Sequence, residues 1–246
     1  MIKTSIPTRL LISFKNLNEI STKTLDLIDI IDLKNPEKGS IGSWKIGDIS
    51  KVVKIYKGKK KISATLGDIY NTGSVLKRLR KFDELNLDFI KFGFFLNDRN
   101  ELENFIEKIG KDFFTTDLVG VVFVENKILL DYVFNNLEKL KNSGINYLLL
   151  DTFSKISGDL LTFCSIDFLK NFIKKASFYK ITIGLAGKLK ESQIPKLMDL
   201  NPSIIGFRSA VCDESDRNSH ICVEKVKNIS AYFESANNIA IERAGA

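Results

Sequence analysis

The sequence predicts an α/β protein, a single (β/α)8 TIM barrel formed by residues 1–246. Apolar runs rich in Ile, Val, Leu and Phe recur eight times, and amphipathic stretches of helical length separate them. The apolar runs are nearly continuous, as expected for parallel strands that are covered on both faces. Strands and helices alternating through a chain of 246 residues also match the usual length of one such barrel.

The eight strands are placed along the chain from these apolar runs. The first four are predicted at LLISF (10–14), LIDIIDL (27–33), KISATLG (61–67) and LDFIKFGFF (87–95). The last four are predicted at LVGVVFV (118–124), NYLLLDT (146–152), KITIGLAG (180–187) and SIIGFRSA (203–210). No GxGxxG motif follows the first strand, so a doubly wound open sheet is the weaker alternative.

Three of the intervening stretches show clear helical signals. They are ENFIEKIGKDF (103–113), LLDYVFNNLEKLKNSG (129–144) and SIDFLKNFIKKAS (165–177). The second ends at Ser143-Gly144, a typical helix stop, and Ser165 can cap the start of the third. No linker rich in Pro, Gly or Ser interrupts the pattern, so one domain is predicted.

Composition argues against several classes of function. The sequence has a single histidine, His220, which argues against both a Ser-His-Asp triad and a zinc site. The three cysteines also lack the spacing of metal ligands. We expect neither a metal nor another cofactor, and the odd count of cysteines favours a reduced, cytoplasmic compartment. No apolar run approaches the roughly 20 residues that a membrane span requires.

The formal net charge is +7, and the lysine-rich segments 51–61 and 76–81 carry much of it. They contain one aromatic residue, Tyr56, which is not the pattern of a surface that stacks nucleic-acid bases. We interpret them as solvated helix faces and expect no nucleic-acid partner. An inactive barrel that binds a polyanion through these faces is a further alternative. A positive field also suits small phosphorylated substrates.

Charged residues lie at the C-terminal ends of three alternate strands, where barrel active sites form. Asp32 and Lys34 end the second strand and point to the same face. Lys91 lies within the apolar fourth strand, where an unpaired ammonium would be costly. Asp151 ends the sixth strand and Lys155 follows it. We expect Asp32 to act beside Lys34, and Asp151 to form an acid/base pair with Lys155.

This set of residues favours imine chemistry. A neutral lysine amine condenses with a carbonyl, and the protonated imine acidifies the adjacent C–H bond. Free lysine has a pKa of about 10.4, which desolvation and a second nearby ammonium both lower. Lys91 is placed to be that second ammonium for Lys34, and Asp32 to transfer protons as the carbinolamine loses water.

The seventh and eighth strands end in GLAG (184–187) and GFRSA (206–210), where barrels often bind phosphate through backbone N–H groups. We expect these two segments to bind a phosphate, with one guanidinium adding a charge-assisted contact. The expected phosphate-binding residues are Gly184, Gly187, Gly206, Arg208 and Ser209.

Taken in order, several motifs resemble the (5-formylfuran-3-yl)methyl phosphate synthase family. They are DIIDLKNPEKGSIG, SATLGD (63–68), DFIKFG (88–93), LLLDTFSK (148–155), GLAGKL (184–189) and the GFRSAVC…DR run (206–217). The resemblance covers about residues 10–225. Departures such as Phe14, GSWKIGD, IYNTGS and Ser209 fall in loops or at strand ends and leave the five charged positions intact.

The resemblance implies a cytoplasmic carbon-oxygen lyase with a triose phosphate substrate. It would join two molecules of glyceraldehyde 3-phosphate into 4-(hydroxymethyl)-2-furancarboxaldehyde phosphate, a precursor of methanofuran, with loss of phosphate and water. Lys34 then falls on the Schiff-base lysine and Lys91 on the proton acceptor, while Asp32, Asp151 and Lys155 match further charged site residues. Another class I aldolase acting on phosphosugars is the alternative, and a homo-oligomer stays open.

Overall fold

Eight parallel strands close into a barrel in the computed structural model, which describes residues 7–95, 98–154 and 157–245. Each strand pairs with the next along the chain, and the last pairs with the first, so the predicted fold is confirmed. The strands are β1 (Arg9–Phe14), β2 (Ile30–Leu33), β3 (Lys61–Thr65), β4 (Phe89–Gly93), β5 (Asp117–Phe123), β6 (Ile145–Asp151), β7 (Thr182–Leu185) and β8 (Ile204–Phe207).

Helices follow the strands and cover the barrel. They are α1 (Thr22–Leu25), α2 (Ile46–Tyr56), α3 (Thr72–Asp83), α4 (Arg99–Gly110), α5 (Lys127–Asn135), α6 (Leu137–Asn142), α7 (Leu160–Phe163), α8 (Ile166–Phe178), α9 (Ile194–Met198) and α10 (Val223–Gly245). Ser165 caps α8, since its hydroxyl accepts a hydrogen bond from the backbone N–H of Phe168 at 3.2 Å.

The predicted helix over 129–144 is in fact two helices, α5 and α6. Asn136 separates them, because its backbone angles (φ −122°, ψ 31°) lie outside the helical region. Its side-chain amide donates to the carbonyl of Tyr132 at 2.8 Å, which satisfies an acceptor at the end of α5. Short polar side chains often compete with the helix in this way.

The barrel has two apolar layers. The larger layer fills the space between the strands and the helices. The smaller one fills the barrel interior with inward-facing side chains from the strands. These interior residues include Leu11, Ile30, Phe89, Val119, Leu149 and Ile204. Because they block the interior, a ligand can reach the polar strand ends only from the C-terminal face.

The lysines before β3 lie at the opposite, N-terminal face, as the strand order predicts. Lys57 and Lys61 both pair with Asp88, at 3.1 and 2.9 Å. The ammonium of Lys60 donates to the carbonyl of Ile28 at 2.7 Å. The carboxylate of Asp88 thus neutralises part of the positive charge on this face. Within the described ranges, none of the helices has the length and apolar character of a membrane span.

Candidate active site

Lys34 directly follows β2 in a loop that is tightly fixed. The N–H of Asn35 donates to the carbonyl of Gly42 at 2.8 Å, which closes the loop on itself. The carboxylate of Asp68 accepts the backbone N–H groups of Ser40 and Ile41, each at 2.9 Å. These contacts hold the backbone of Lys34 and of the loop after it in place.

Two glycines make this loop sterically possible. Gly39 has a φ of +125°, which favours glycine, and an added Cβ would lie 2.4 Å from the carboxylate of Asp68. At Gly42, an added Cβ would lie 2.1 Å from the carbonyl oxygen of Asn35. A side chain at either position would therefore displace the loop that carries Lys34.

Four of the five predicted charged residues meet at the C-terminal end of the barrel. The exposed fraction is 0% for Asp32, 8% for Lys34, 3% for Lys91 and 1% for Asp151. Charged groups at the ends of β2, β4 and β6 are therefore desolvated. Lys155 lies outside the described residues. Buried charges require partners, which the arrangement of these four side chains supplies.

Asp32 lies at the centre of a small polar network. Its carboxylate accepts hydrogen bonds from the hydroxyls of Ser13, at 2.6 Å, and Ser63, at 3.0 Å. Both serines are its direct neighbours on the adjoining strands. Lys91 Nζ lies 2.5 Å from the same carboxylate. The sequence analysis did not select either serine, although strand register places both beside Asp32.

Asp32 does not pair with Lys34, the lysine expected to act beside it. Asp32 contacts Lys91 rather than Lys34, whereas Lys34 Nζ lies 3.7 Å from Asp151 Oδ2. The reason is geometric, because alternate strands of such a barrel place side chains in one layer. Asp32 and Lys91, on β2 and β4, therefore share a layer, while Lys34 lies nearer the mouth.

Burial lowers the pKa of Lys91 from its ordinary value, and the adjacent ammonium of Lys34 acts in the same direction. The carboxylates of Asp32 and Asp151 oppose this shift. An ammonium that is easier to deprotonate can yield a neutral amine, which accepts protons. Lys91 is thus chemically suited to general base catalysis.

The expected phosphate-binding residues divide into three groups. Gly187, Gly206 and Ser209 line the pocket together with Lys34 and Lys91. Gly184 lies deeper in β7, where an added Cβ would be 2.9 Å from a methyl group of Leu149, so its role there is packing. Arg208 also lines the pocket, but other groups of the protein engage its guanidinium.

The expected phosphate contact of Arg208 needs correction. Its guanidinium donates to both carboxylate oxygens of Glu19, at 2.6 and 3.0 Å. It also donates to the carbonyls of Ser13, Arg217 and Ser219. An arginine has five N–H donors, and these contacts use all of them. Arg208 is therefore a buried structural group, not a free ligand for phosphate.

Two further residues were missed by sequence reasoning. Arg217 lines the pocket, and its guanidinium donates to the carbonyl of Gly39 at 2.8 Å. Glu19 is buried and forms the ion pair with Arg208 at 2.6 Å. Arg217 lies in a loop and Glu19 ends a short 3-10 helix (Leu17–Glu19), so neither is at a strand end. The DR run was a signal for Arg217, whereas nothing near Glu19 in sequence indicated its partner.

An aromatic surface forms the opposite side of the mouth, above β4, β5 and β6. The ring of Phe95 lies 4.8 Å from that of Tyr70 and 5.1 Å from that of Phe123. Phe153 packs against Phe123 at 5.5 Å and is 46% exposed. The mouth is therefore charged on one side and apolar on the other.

Solved structures with the same architecture share little sequence with this chain. 3-Hexulose-6-phosphate synthase superimposes with a TM-score of 0.59 at 15% identity, covering 92% of this chain and 99% of the other. Phosphoribosyl anthranilate isomerase from Thermus thermophilus gives a TM-score of 0.60 at 14% identity, with coverage of 93% and 99%. At such identities the likeness shows the fold alone.

Sequence relatives are more informative. The (5-formylfuran-3-yl)methyl phosphate synthase of Methanobrevibacter smithii is 30% identical over 238 residues, which is 91% of this chain and 99% of the relative. The protein of the same name from Archaeoglobus fulgidus is 32% identical over 209 residues, with coverage of 80% and 87%. Residues 10–230 match the sequence model of 4-HFC-P synthase. The chain that carries this buried lysine and carboxylate site therefore belongs to the 4-HFC-P synthase family.

Proposed function

We propose that this protein is a Schiff-base-forming lyase that makes 4-(hydroxymethyl)-2-furancarboxaldehyde phosphate from two molecules of glyceraldehyde 3-phosphate. Atom balance requires the release of one phosphate and two waters. The family to which the chain belongs supports the product, and the product places the protein in methanofuran biosynthesis. The buried convergence of Lys34, Lys91, Asp32 and Asp151 supports the mechanism and is the observation that carries the proposal.

The imine forms on Lys34 in this proposal. Its amine attacks the aldehyde carbon, and the resulting carbinolamine loses water to give a protonated imine. Asp151 Oδ2 lies 3.7 Å from this amine, so its carboxyl group is the nearest one for passing protons during dehydration. This role replaces the one expected for Asp32, which contacts a different lysine.

Lys91 is the base that removes the proton next to the imine. Loss of this proton converts the protonated imine into an enamine. The electron pair of one enamine either attacks the second aldehyde or expels phosphate and restores an imine, so the two events require two deprotonations. Hydrolysis of the last imine releases the product and restores the amine of Lys34. Asp32, at 2.5 Å, stabilises the Lys91 ammonium that results, and Ser13 and Ser63 hold its carboxylate in position.

Two readouts on the purified protein test the proposal. Incubation with glyceraldehyde 3-phosphate alone should produce the ultraviolet absorbance of a furan aldehyde, while dihydroxyacetone phosphate alone serves as the substrate control. Borohydride added during turnover should trap an adduct that peptide mass spectrometry places on Lys34. Lys34→Met should abolish both signals, and Lys38→Met, an exposed residue of the same loop, should preserve them.

Other outcomes would change the assignment. A trapped adduct found only on Lys91 would show that Lys34 is not the nucleophile. A trapped adduct on Lys34 without furan absorbance would indicate another class I aldolase that acts on phosphosugars. Neither signal in a folded protein would contradict imine chemistry altogether.

A further inference from the structure

We propose that Arg217 binds a phosphate group of the substrate and that the buried Arg208–Glu19 pair holds it at the mouth. This inference rests on the proposed function, since it names the side chain that recognises the phosphorylated substrate. It also reassigns the phosphate contact from Arg208, whose donors are used within the protein, to a residue nine positions further along the loop.

Arg217 lies in the pocket where the chemistry is proposed. Its side chain lines the same cavity as Lys34, Lys91 and Asp151, although it comes from the loop after β8. It is half-buried, and one N–H donates to the carbonyl of Gly39 in the loop that carries Lys34. Arg217 thus spans the mouth between two loops that border the imine lysine.

The guanidinium retains unused hydrogen-bonding capacity. An arginine carries five N–H donors in a planar fork that matches phosphate geometry. Within the described part of the chain, the carbonyl of Gly39 is the one acceptor that Arg217 contacts. By contrast, Arg208 on the same loop has no donor left. The remaining donors of Arg217 are therefore available to a ligand.

The charge balance of the pocket points in the same direction. Lys34 and Lys91 each lie within 4 Å of a carboxylate, and Arg208 pairs with Glu19. For Arg217, no carboxylate among the described residues lies within ion-pair distance. Burial lowers its pKa, which reports the cost of desolvating this cation, and the more distant charge of Asp151 offsets part of that cost. A bound phosphate would supply the missing counter-charge.

Arg208 fixes the backbone that presents Arg217. Its Nε donates to the carbonyl of Arg217 at 2.7 Å, and its Nη2 donates to that of Ser219 at 2.8 Å. Glu19 anchors the other side of this guanidinium from the loop after β1. The loop is therefore held by the buried guanidinium of Arg208, which cannot move without breaking its ion pair with Glu19. This fixed backbone preorganises Arg217 for phosphate binding.

Glycerol 3-phosphate is a suitable probe because it carries the phosphate but no carbonyl, so it binds without forming an imine. Calorimetric titration should show binding to the unmodified protein that Arg217→Met weakens about 10-fold or more, as expected when a charge-assisted contact is lost. Arg217→Lys should give an intermediate affinity, because it keeps the charge and loses the fork. Arg80→Met, an exposed arginine of α3, should bind like the unmodified protein.

A second measurement separates recognition from structural damage. Borohydride trapping with unphosphorylated glyceraldehyde should proceed equally in Arg217→Met and in the unmodified protein. Unchanged glycerol 3-phosphate affinity in Arg217→Met would overturn the inference, as would an equal loss of trapping with and without the phosphate. Neither binding experiment requires furan formation, so failure of this inference and failure of the proposed function give different results.

Discussion

Lys91 Nζ lies 2.5 Å from Asp32 Oδ1, although the strands that carry them, β2 and β4, do not pair with each other. β3 lies between them and contributes Ser63, which donates to the same carboxylate. The contact thus crosses the barrel interior above its apolar filling. The amine of Lys91 is therefore oriented by a carboxylate that is itself fixed by two hydroxyls.

Replacing Lys91, the proposed base, should separate imine formation from turnover. Lys91→Met should still yield a borohydride-trapped adduct on Lys34, because the nucleophile is unchanged. Steady-state turnover should fall about 100-fold or more, as expected for the loss of a general base. Peptide mass spectrometry and furan absorbance measure the two effects. Normal turnover would refute the role of Lys91.

The lowered pKa of Lys91 also predicts a pH dependence of stability. Between the lowered value in the folded protein and the ordinary value of 10.5, the unfolded chain binds more protons at this site. The contribution of Lys91 to the free energy of unfolding therefore rises with pH through that window. Urea unfolding at several pH values should show a smaller rise in Lys91→Met. An equal rise of the unfolding free energy in the unmodified protein and in Lys91→Met would contradict the lowered pKa of Lys91.

The Arg208–Glu19 pair should be important for stability. Glu19→Gln leaves a buried guanidinium without its counter-charge and should lower the free energy of unfolding by about 3 kcal/mol. The exposed Arg80–Asp112 pair provides the control, because Asp112→Asn should cost less than about 1 kcal/mol. Urea denaturation measures both. Similar small losses in the two variants would show that the buried pair is not the anchor of its loop.

The lysines at the N-terminal face should not affect catalysis. Replacing Lys59, Lys60 and Lys61 together by Gln should leave the kcat and KM for glyceraldehyde 3-phosphate unchanged, since the apolar barrel interior separates them from the mouth. The variant lacks the Lys61–Asp88 pair, so a modest loss of stability is compatible with this outcome. A large rise in KM would instead show that this face contributes to substrate binding.

Local sequence patterns predicted most of the fold because parallel strands buried on both faces leave a strong apolar signal. All eight strands lie at the predicted positions, although β2, β3, β4, β7 and β8 are shorter than their apolar runs. The helix over 129–144 was wrong in one respect, since Asn136 interrupts it. A single polar residue within a good helical pattern does not reveal whether its backbone is helical.

The site was predicted less completely. Strand ends correctly indicated that Asp32, Lys34, Lys91 and Asp151 would lie together. The partner of each charge depends on the layer in which its side chain lies, and a list of strand ends does not contain that information. Glu19 and Arg208 are in contact although they are 189 positions apart in the chain. The sequence around either residue does not indicate this contact. Arg208 was accordingly assigned to the substrate when its partner was the protein.

The closed loop after β2 has a consequence for how such chains can diverge. The N–H of Asn35 donates to the carbonyl of Gly42, and those of Ser40 and Ile41 donate to the carboxylate of Asp68, so the loop is fixed along its length. An inserted or deleted residue there would shift the amine of Lys34, on which we propose that the imine forms. We therefore expect differences in length among related chains to fall elsewhere, in segments that border the mouth without setting the position of Lys34.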